Sequence, residues 1–496
     1  MLSLALALLL PPQLGGEITG VSPETAGLAG AGVPASTDPL DASRNPAVLP
    51  WMFSGPDDAF TRRRAARGRD RLSLALRELA NDLTIATHGG AELDPDTPAA
   101  LAPFLGYAHD LGDGVVVGLA VWPSAGGESD VIRRTYLDIV TVNPDGTGGP
   151  APYDVRDRWR LLQFSVEPSV AWRAGSQWTF GAGLALRQTT VDMQSATELQ
   201  LDVLQGVIDE GLQPIFGAIG WGELIQQLGS ERGVDSFQVD FSGDLDHGSD
   251  PMALLRFGVG WRPDPRTRVG FWYRPPSSAA DLTGRVAVDM GADLGAFVDG
   301  IEDIVGSELL ADPTSGYDMR ISGVRMPQQL GLGVSHLLDG GRRLHFGAFW
   351  SDWSSSFSGW VAELTNPSNP EFVTFLGGDG STTVDLGLDW RDSWALSTGL
   401  EQDFGDLWTL RGGIGWQRQP VRGTPLGAAM PFNSWHLALG ASLWGVPAGR
   451  ADWHFALVVS PPDRFQAGAN DLISDFSYDR YRQWLWSVAV GCTIAW

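Results

Sequence analysis

The chain has 496 residues, of which 43% are hydrophobic and only 19% charged, with 63 Gly and 21 Trp. Its 34 basic against 59 acidic residues leave a formal charge of −25, which repels a phosphate backbone and excludes nucleic acid as a partner. A single cysteine, Cys492, excludes an internal disulfide, and no Cys/His set offers a structural zinc site; no metal or other cofactor is expected.

The apolar run Leu2–Leu10 stops at Pro11 and Pro12. It is too short to span a bilayer, which takes about 20 residues, and it reads as the core of an export signal over residues 1–17 that lacks a basic start. A Gly/Ala-rich segment follows, with the turn starter Asn45-Pro46. Next comes the arginine run Arg62, Arg63, Arg64, Arg67, Arg69 and Arg71, read as a solvated rim.

From there on the dominant signal is period two, the mark of strands. It predicts about 14 strands, near residues 71–84, 100–109, 115–123, 160–173, 177–191, 252–262, 267–288, 317–338, 342–360, 383–403, 408–419, 434–445, 452–461 and 482–496, each end uncertain by about 2 to 4 residues. The last is the clearest: Trp484, Trp486, Val488, Val490, Cys492, Ile494 and Trp496 alternate with Leu485, Ser487, Ala489, Gly491, Thr493 and Ala495. One face is large and apolar and the other small, the reverse of a water-soluble sandwich and what a lipid-facing wall needs. Tryptophans at strand ends suit the interfacial belt, and connections alternate between short and long, as between periplasmic turns and outer loops. The expected fold is all-β: a transmembrane antiparallel β-barrel of about 14 strands, integral to a bacterial outer membrane.

Two long connections repeat apolar residues at three and four positions: Leu201, Leu204, Ile208 and Leu212, then Leu294, Phe297, Val298, Ile301, Ile304 and Val305. These predict short amphipathic helices in outer loops, which either pack on the barrel mouth or line an apolar ligand groove. The acidic loop Asp240, Asp244, Asp246 and Asp250 is read as a solvated face or a divalent-cation loop. No Gly-x-Ser-x-Gly elbow occurs, and His336, His345, His436 and His454 are read as lumen or rim residues, so the chain is not expected to be an enzyme.

The stretch from Gly27 to Leu49, with the triplet Asn45, Pro46 and Ala47, resembles the N-terminal plug of the long-chain fatty acid and hydrophobic compound outer-membrane transporter family (FadL/TodX-like). The resemblance continues through Met326-Pro327-Gln328, Trp350–Ser354, Trp390–Trp394, Trp408–Gly413 and Gln419–Val421. It implies a hatch over residues 18–55 inside a 14-stranded barrel of residues 56–496. It also implies a monomer, a hydrophobic small-molecule ligand such as a fatty acid or hydrocarbon, and outer-membrane lipid and lipopolysaccharide as surroundings.

Ligand would be captured at the outer loops by Leu201, Leu204, Ile208, Leu294, Phe297, Val298 and Ile301, and passed to a lumenal pocket. It would be released by hatch movement and through a lateral gate in the third strand, where Trp122, Pro123, Gly126 and Gly127 fall; the plain alternative is that this strand ends there. Arg187, Arg325 and Arg411 are candidates to meet a carboxylate. The rival functions are a general porin and an outer-membrane lipid hydrolase.

Overall fold

A computed structural model describes residues 19–54, 60, 68–136, 152–208, 213–229, 236–248, 250–291, 298, 302, 312–357, 360–385, 390–420, 433–446, 451–468 and 478–496. The expected export signal lies outside them. In chain order the strands are β1 (Asp70–Ala86), β2 (Glu92–Leu93), β3 (Ala100–Gly112), β4 (Val115–Tyr136), β5 (Pro152–Ala174), β6 (Trp178–Gln200) and β7 (Ser236–Asp246). There follow β8 (Met252–Asp264), β9 (Thr267–Arg274), β10 (Ala280–Asp289), β11 (Thr314–Val324), β12 (Gln329–Leu337), β13 (Arg342–Ser351) and β14 (Val361–Thr365). The last six are β15 (Thr382–Asp385), β16 (Ser393–Phe404), β17 (Trp408–Gln417), β18 (Trp435–Leu443), β19 (Ala451–Gln466) and β20 (Arg480–Ala495).

Fourteen of these form a closed antiparallel wall in the order β1, β3, β4, β5, β6, β8, β9, β12, β13, β16, β17, β18, β19 and β20. The seam closes where β20 pairs back onto β1, from Arg71–Ala495 to Ala86–Arg480. Along each wall strand the large apolar residues point out and stay exposed, as Leu162, Phe164, Val166, Val170 and Trp172 do on β5. Burial therefore runs opposite to that of a water-soluble protein, because lipid is the solvent outside. The expected aromatic belt is present: Trp172 stacks on Phe180 and Trp178 on Trp261 at one rim, and Trp350 meets Trp394 at the other.

The structure corrects several predicted segments. The strand expected over 267–288 breaks at Pro275 and Pro276 into β9 and β10, and that over 317–338 breaks at Pro327 into β11 and β12, because proline cannot donate to a ladder. The 342–360 segment ends at Ser351, before a helical turn at Trp353–Ser356. Asp240, Asp244 and Asp246 of the predicted acidic loop lie instead in strand β7, with Asp244 opposite Asp192 on one side and Arg285 on the other, and Asp250 follows the strand. Strands β7, β10, β11, β14 and β15 build a second sheet outward from the top of β6, beyond the wall proper. Among the described residues no helix is long and apolar enough to cross a membrane.

Candidate functional site

Residues 19–54 fill the barrel as a chain of short helical turns, and all but the half-buried Phe53 are buried. Proline opens these turns at Pro23, Pro39 and Pro46, where its missing N–H costs nothing, and the preceding Ser22, Asp38 and Asn45 cap them with side-chain oxygens. Asn45 Oδ1 accepts from the Ala47 N–H at 3.0 Å, so the Asn45, Pro46, Ala47 triplet is a capped turn. It is pressed against bare glycines of the wall: a Cβ on Gly181 would stand 2.6 Å from the Ala47 nitrogen, and one on Gly258 would stand 2.1 Å from Asn45 Oδ1.

An acidic network holds this hatch together. Asp41 accepts from Ser22 Oγ at 2.6 Å, Thr25 Oγ1 at 2.8 Å and Ser36 Oγ at 2.5 Å. Asp38 accepts from Ser73 Oγ of β1 at 2.9 Å, and Glu24 accepts from Thr37 Oγ1 at 2.9 Å and lies 3.7 Å from His454 Nδ1 of β19. Burial pushes the Asp38 carboxyl well above the ordinary aspartate range, with the neighbouring Asp41 and Glu24 adding to it. Asp41 is raised by the same burial, which the three hydroxyls partly offset. Carboxylates removed from water without a matching cation favour the neutral form.

The wall has a long break between β3 and β4. Their ladder runs up to Leu105–Val121 and then stops, to resume only at the single Asp96–Asp130 bridge. Continuing the register two places sets Pro103 against Pro123, neither of which has an N–H to give. Phe104 and Trp122, one place below, stack at 6.0 Å. They join Val21 and Leu40 of the hatch in one apolar cluster with Ala102 and Ala120.

Above the break β4 does not end, contrary to the predicted boundary at 123. Pairing with β5 carries it on to Tyr136, with a bulge at Ser124, whose hydroxyl meets Gln163 Oε1 at 2.8 Å. Trp122, Pro123, Gly126 and Gly127 thus all lie along the unpaired edge. Gly126 and Gly127 present no side chain to it. Pro123 and the glycines were visible in the sequence; that Pro103 faces Pro123 is a register fact the sequence did not disclose.

Above the hatch one apolar cluster lines the lumen and reaches into the outer sheet, including Ile85, Val131, Trp159, Met193, Phe241, Leu282 and Met319. Leu201, Leu204 and Ile208 are buried in it. Their backbone is not the predicted helix: only Leu201–Val203 forms a tight turn, after which Val207 bridges to Gly220. The loop carries two short helices, Gln213–Phe216 and Trp221–Gly229, the second of which sequence reading missed, and Trp221 packs on Phe375 at 4.6 Å. Val298 is buried in the same cluster, while Leu294, Phe297 and Ile301 lie outside the described residues.

The remaining candidates are structural partners. Arg187 is buried 3.9 Å from Glu167, which also takes Arg256 at 2.7 Å; Arg411 meets Glu401 at 2.6 Å, and Arg325 is exposed. His345, His436 and His454 pair with Ser335, Ser460 and Ser442 on the lumenal wall, and His336 pairs with Thr267. Arg71 is not solvated as predicted, but buried over the Phe53 ring at 5.4 Å. Arg62, Arg63, Arg64 and Arg67 lie outside the described residues. Among the described residues no group of three His, Cys, Asp or Glu could hold a metal ion.

The fold is that of solved outer-membrane channels. The Ralstonia pickettii toluene transporter TbuX superposes with a TM-score of 0.63 at 17% identity, covering 97% of this chain and 99% of that one. A Pseudomonas aeruginosa FadL homologue gives 0.62 at 16% identity over 95% and 97%, and the P. putida toluene transporter TodX gives 0.60 at 16% over 91% and 94%. No curated protein sequence matches the chain. The profile of the outer membrane protein transport protein family (OMPP1/FadL/TodX) matches residues 154–433, more than half of the chain. This barrel is therefore an outer-membrane transport protein for hydrophobic compounds and not an enzyme, and it belongs to that OMPP1/FadL/TodX family.

Proposed function

We propose that the chain takes up an apolar small molecule, captures it in the outer cluster around Leu201, Leu204, Ile208 and Trp221, and releases it sideways into lipid between β3 and β4. The observation that carries this reading is the interrupted ladder from Leu105–Val121 to Asp96–Asp130, edged by Pro103, Pro123, Gly126 and Gly127. An unpaired backbone edge facing hydrocarbon is costly unless something else fills the space, so such a break in a barrel wall calls for a function. An apolar solute gains free energy on passing from the lumen to lipid and would lose it on crossing water, so a side exit is downhill all the way. A general porin is the poorer reading, because the hatch fills the lumen with buried residues and a water-filled pore has no use for an apolar mouth.

Movement of the hatch is part of the proposal, since Val21 and Leu40 pack against Phe104 and Trp122 at the lower end of the gap. The test is to fill the gap with Gly126→Trp, or to restore ladder-forming residues with Pro123→Val plus Gly126→Val. Ligand binding should persist while uptake of a hydrocarbon probe falls by about an order of magnitude. Parental uptake by normally assembled variants would reject the side route in favour of passage past a displaced hatch.

A further inference from the structure

The upper part of the gap contains a polar spot that the transport reading does not explain. Ser129 of β4 and Trp159 of β5 are direct cross-strand partners. Both face inward, with side chains 0% and 2% exposed. Neither the Ser129 hydroxyl nor the Trp159 indole N–H has a hydrogen-bond partner, and the Trp122 N–H at the lower end of the gap lacks one as well. The Trp159 ring lies over Gly127, where a Cβ would be 3.4 Å from its Cη2. A buried donor left without a partner is destabilising, and two side by side beside the gap point to a ligand atom.

Height and charge narrow that ligand. On the outer surface of β5 the wall changes from apolar to charged at this level: Leu162 and Phe164 are exposed just below, and Arg160 is exposed opposite Glu128. A head group held by Ser129 and Trp159 would therefore stand at the lipid head-group level, with its apolar part directed along the gap. Immediately above lies a buried set of one arginine and two carboxylates: Arg133 sits 3.6 Å from Asp157 and in close contact with Asp479. That set offers no surplus cation to an anion docked beside Ser129 and Trp159; unpaired guanidinium nitrogens on this side of the barrel, those of Arg77, stand over the Phe104 ring at the lower end of the gap.

We propose that Ser129 and Trp159 form a docking point for the oxygen of an uncharged head group, an ester, ketone or alcohol, so that the transported ligand is a neutral amphiphile released with its head at the membrane interface. The inference rests on the reading of the β3–β4 gap as the exit. It is tested with the full chain in outer-membrane vesicles carrying the parent, Ser129→Ala, Trp159→Phe or both, given radiolabelled dodecane, methyl dodecanoate or, at alkaline pH, dodecanoate anion. Phenylalanine keeps an aromatic side chain at this position but removes the N–H, and the alkane probe reads any loss that comes from packing alone. The ester-to-alkane uptake ratio should fall about 3- to 10-fold for each bond removed, with normal heat-modifiable barrels throughout. An unchanged ratio, an equal loss for ester and alkane, or a parental preference for the anion over the ester overturns the proposal. A parent that takes up none of the three probes overturns the transport reading itself, and this inference with it.

Discussion

Removal of the Asp41 carboxylate should free the hatch. Its two oxygens gather the hydroxyls of Ser22 and Thr25, which share the turn opened by Pro23, and of Ser36 further along the hatch chain. Asp41→Ala leaves these three donors buried with their shared acceptor gone. At about 1 kcal/mol for each bond the docked hatch loses roughly 3 kcal/mol, on the order of a 100-fold rise in its undocked population. The assay is maleimide labelling of a cysteine placed at Ala35, which is 7% exposed, in a chain whose Cys492 has been replaced. Asp41→Asn, which keeps an acceptor oxygen and the shape, should label far more slowly than Asp41→Ala. Parental labelling by a correctly assembled Asp41→Ala barrel would refute the view that this network holds the hatch.

The wall side of the same contact can be tested with Gly258→Val, whose Cβ would fall 2.1 Å from Asn45 Oδ1. The triplet should be expelled and the Ala35 position labelled quickly, while a slow, parental rate would mean that the hatch adapts. A pH series on the parent probes the buried carboxyls. Burial raises Asp38 and Asp41 in the docked state, so docked hatch binds protons more tightly than free hatch. Its docking is thus strongest in acid and weakens as pH rises from about 4 through the raised values. Labelling, divided at each pH by the rate of a fully exposed cysteine to remove the rise in thiolate, should accelerate over that range, Asp38→Asn should flatten the response, and a normalised rate that slows with rising pH would contradict the sign.

Much of the wall was legible in the sequence because lipid imposes a simple rule. Trp484, Trp486, Val488 and Val490 are exposed and Leu485, Ser487 and Ala489 buried, as their alternation required. The outer sheet was not legible. In β10 the apolar positions Leu282, Val286 and Val288 are buried, but the strand is short, set off by Pro275 and Pro276, and its partners are distant in sequence. The spacing of Leu201, Leu204 and Ile208 foretold their burial correctly and their backbone wrongly, since a tight turn followed by extended chain can bury the same three side chains as a helix. At the gap, local sequence supplied Pro123 and the glycines but could not reveal the unpaired Ser129 and Trp159, which depend on register and on what fails to reach them.

The seam between β1 and β20 has a consequence for the order of events at birth. Part of the socket that receives the hatch is built from the end of the chain: Gly413 of β17 abuts Leu28, Gly440 of β18 abuts Gly27 and Gly491 of β20 abuts Pro23. The hatch, which precedes every wall strand in the chain, therefore has no finished seat until β20 exists. Once β20 zips onto β1, about 400 residues away in the chain, the wall is closed along its side, and a hatch not yet inside can reach its seat only through an end of the barrel. Closure of the ring and the final seating of the hatch are thereby coupled, because the contacts of Pro23, Gly27 and Leu28 wait on the strands that pair last.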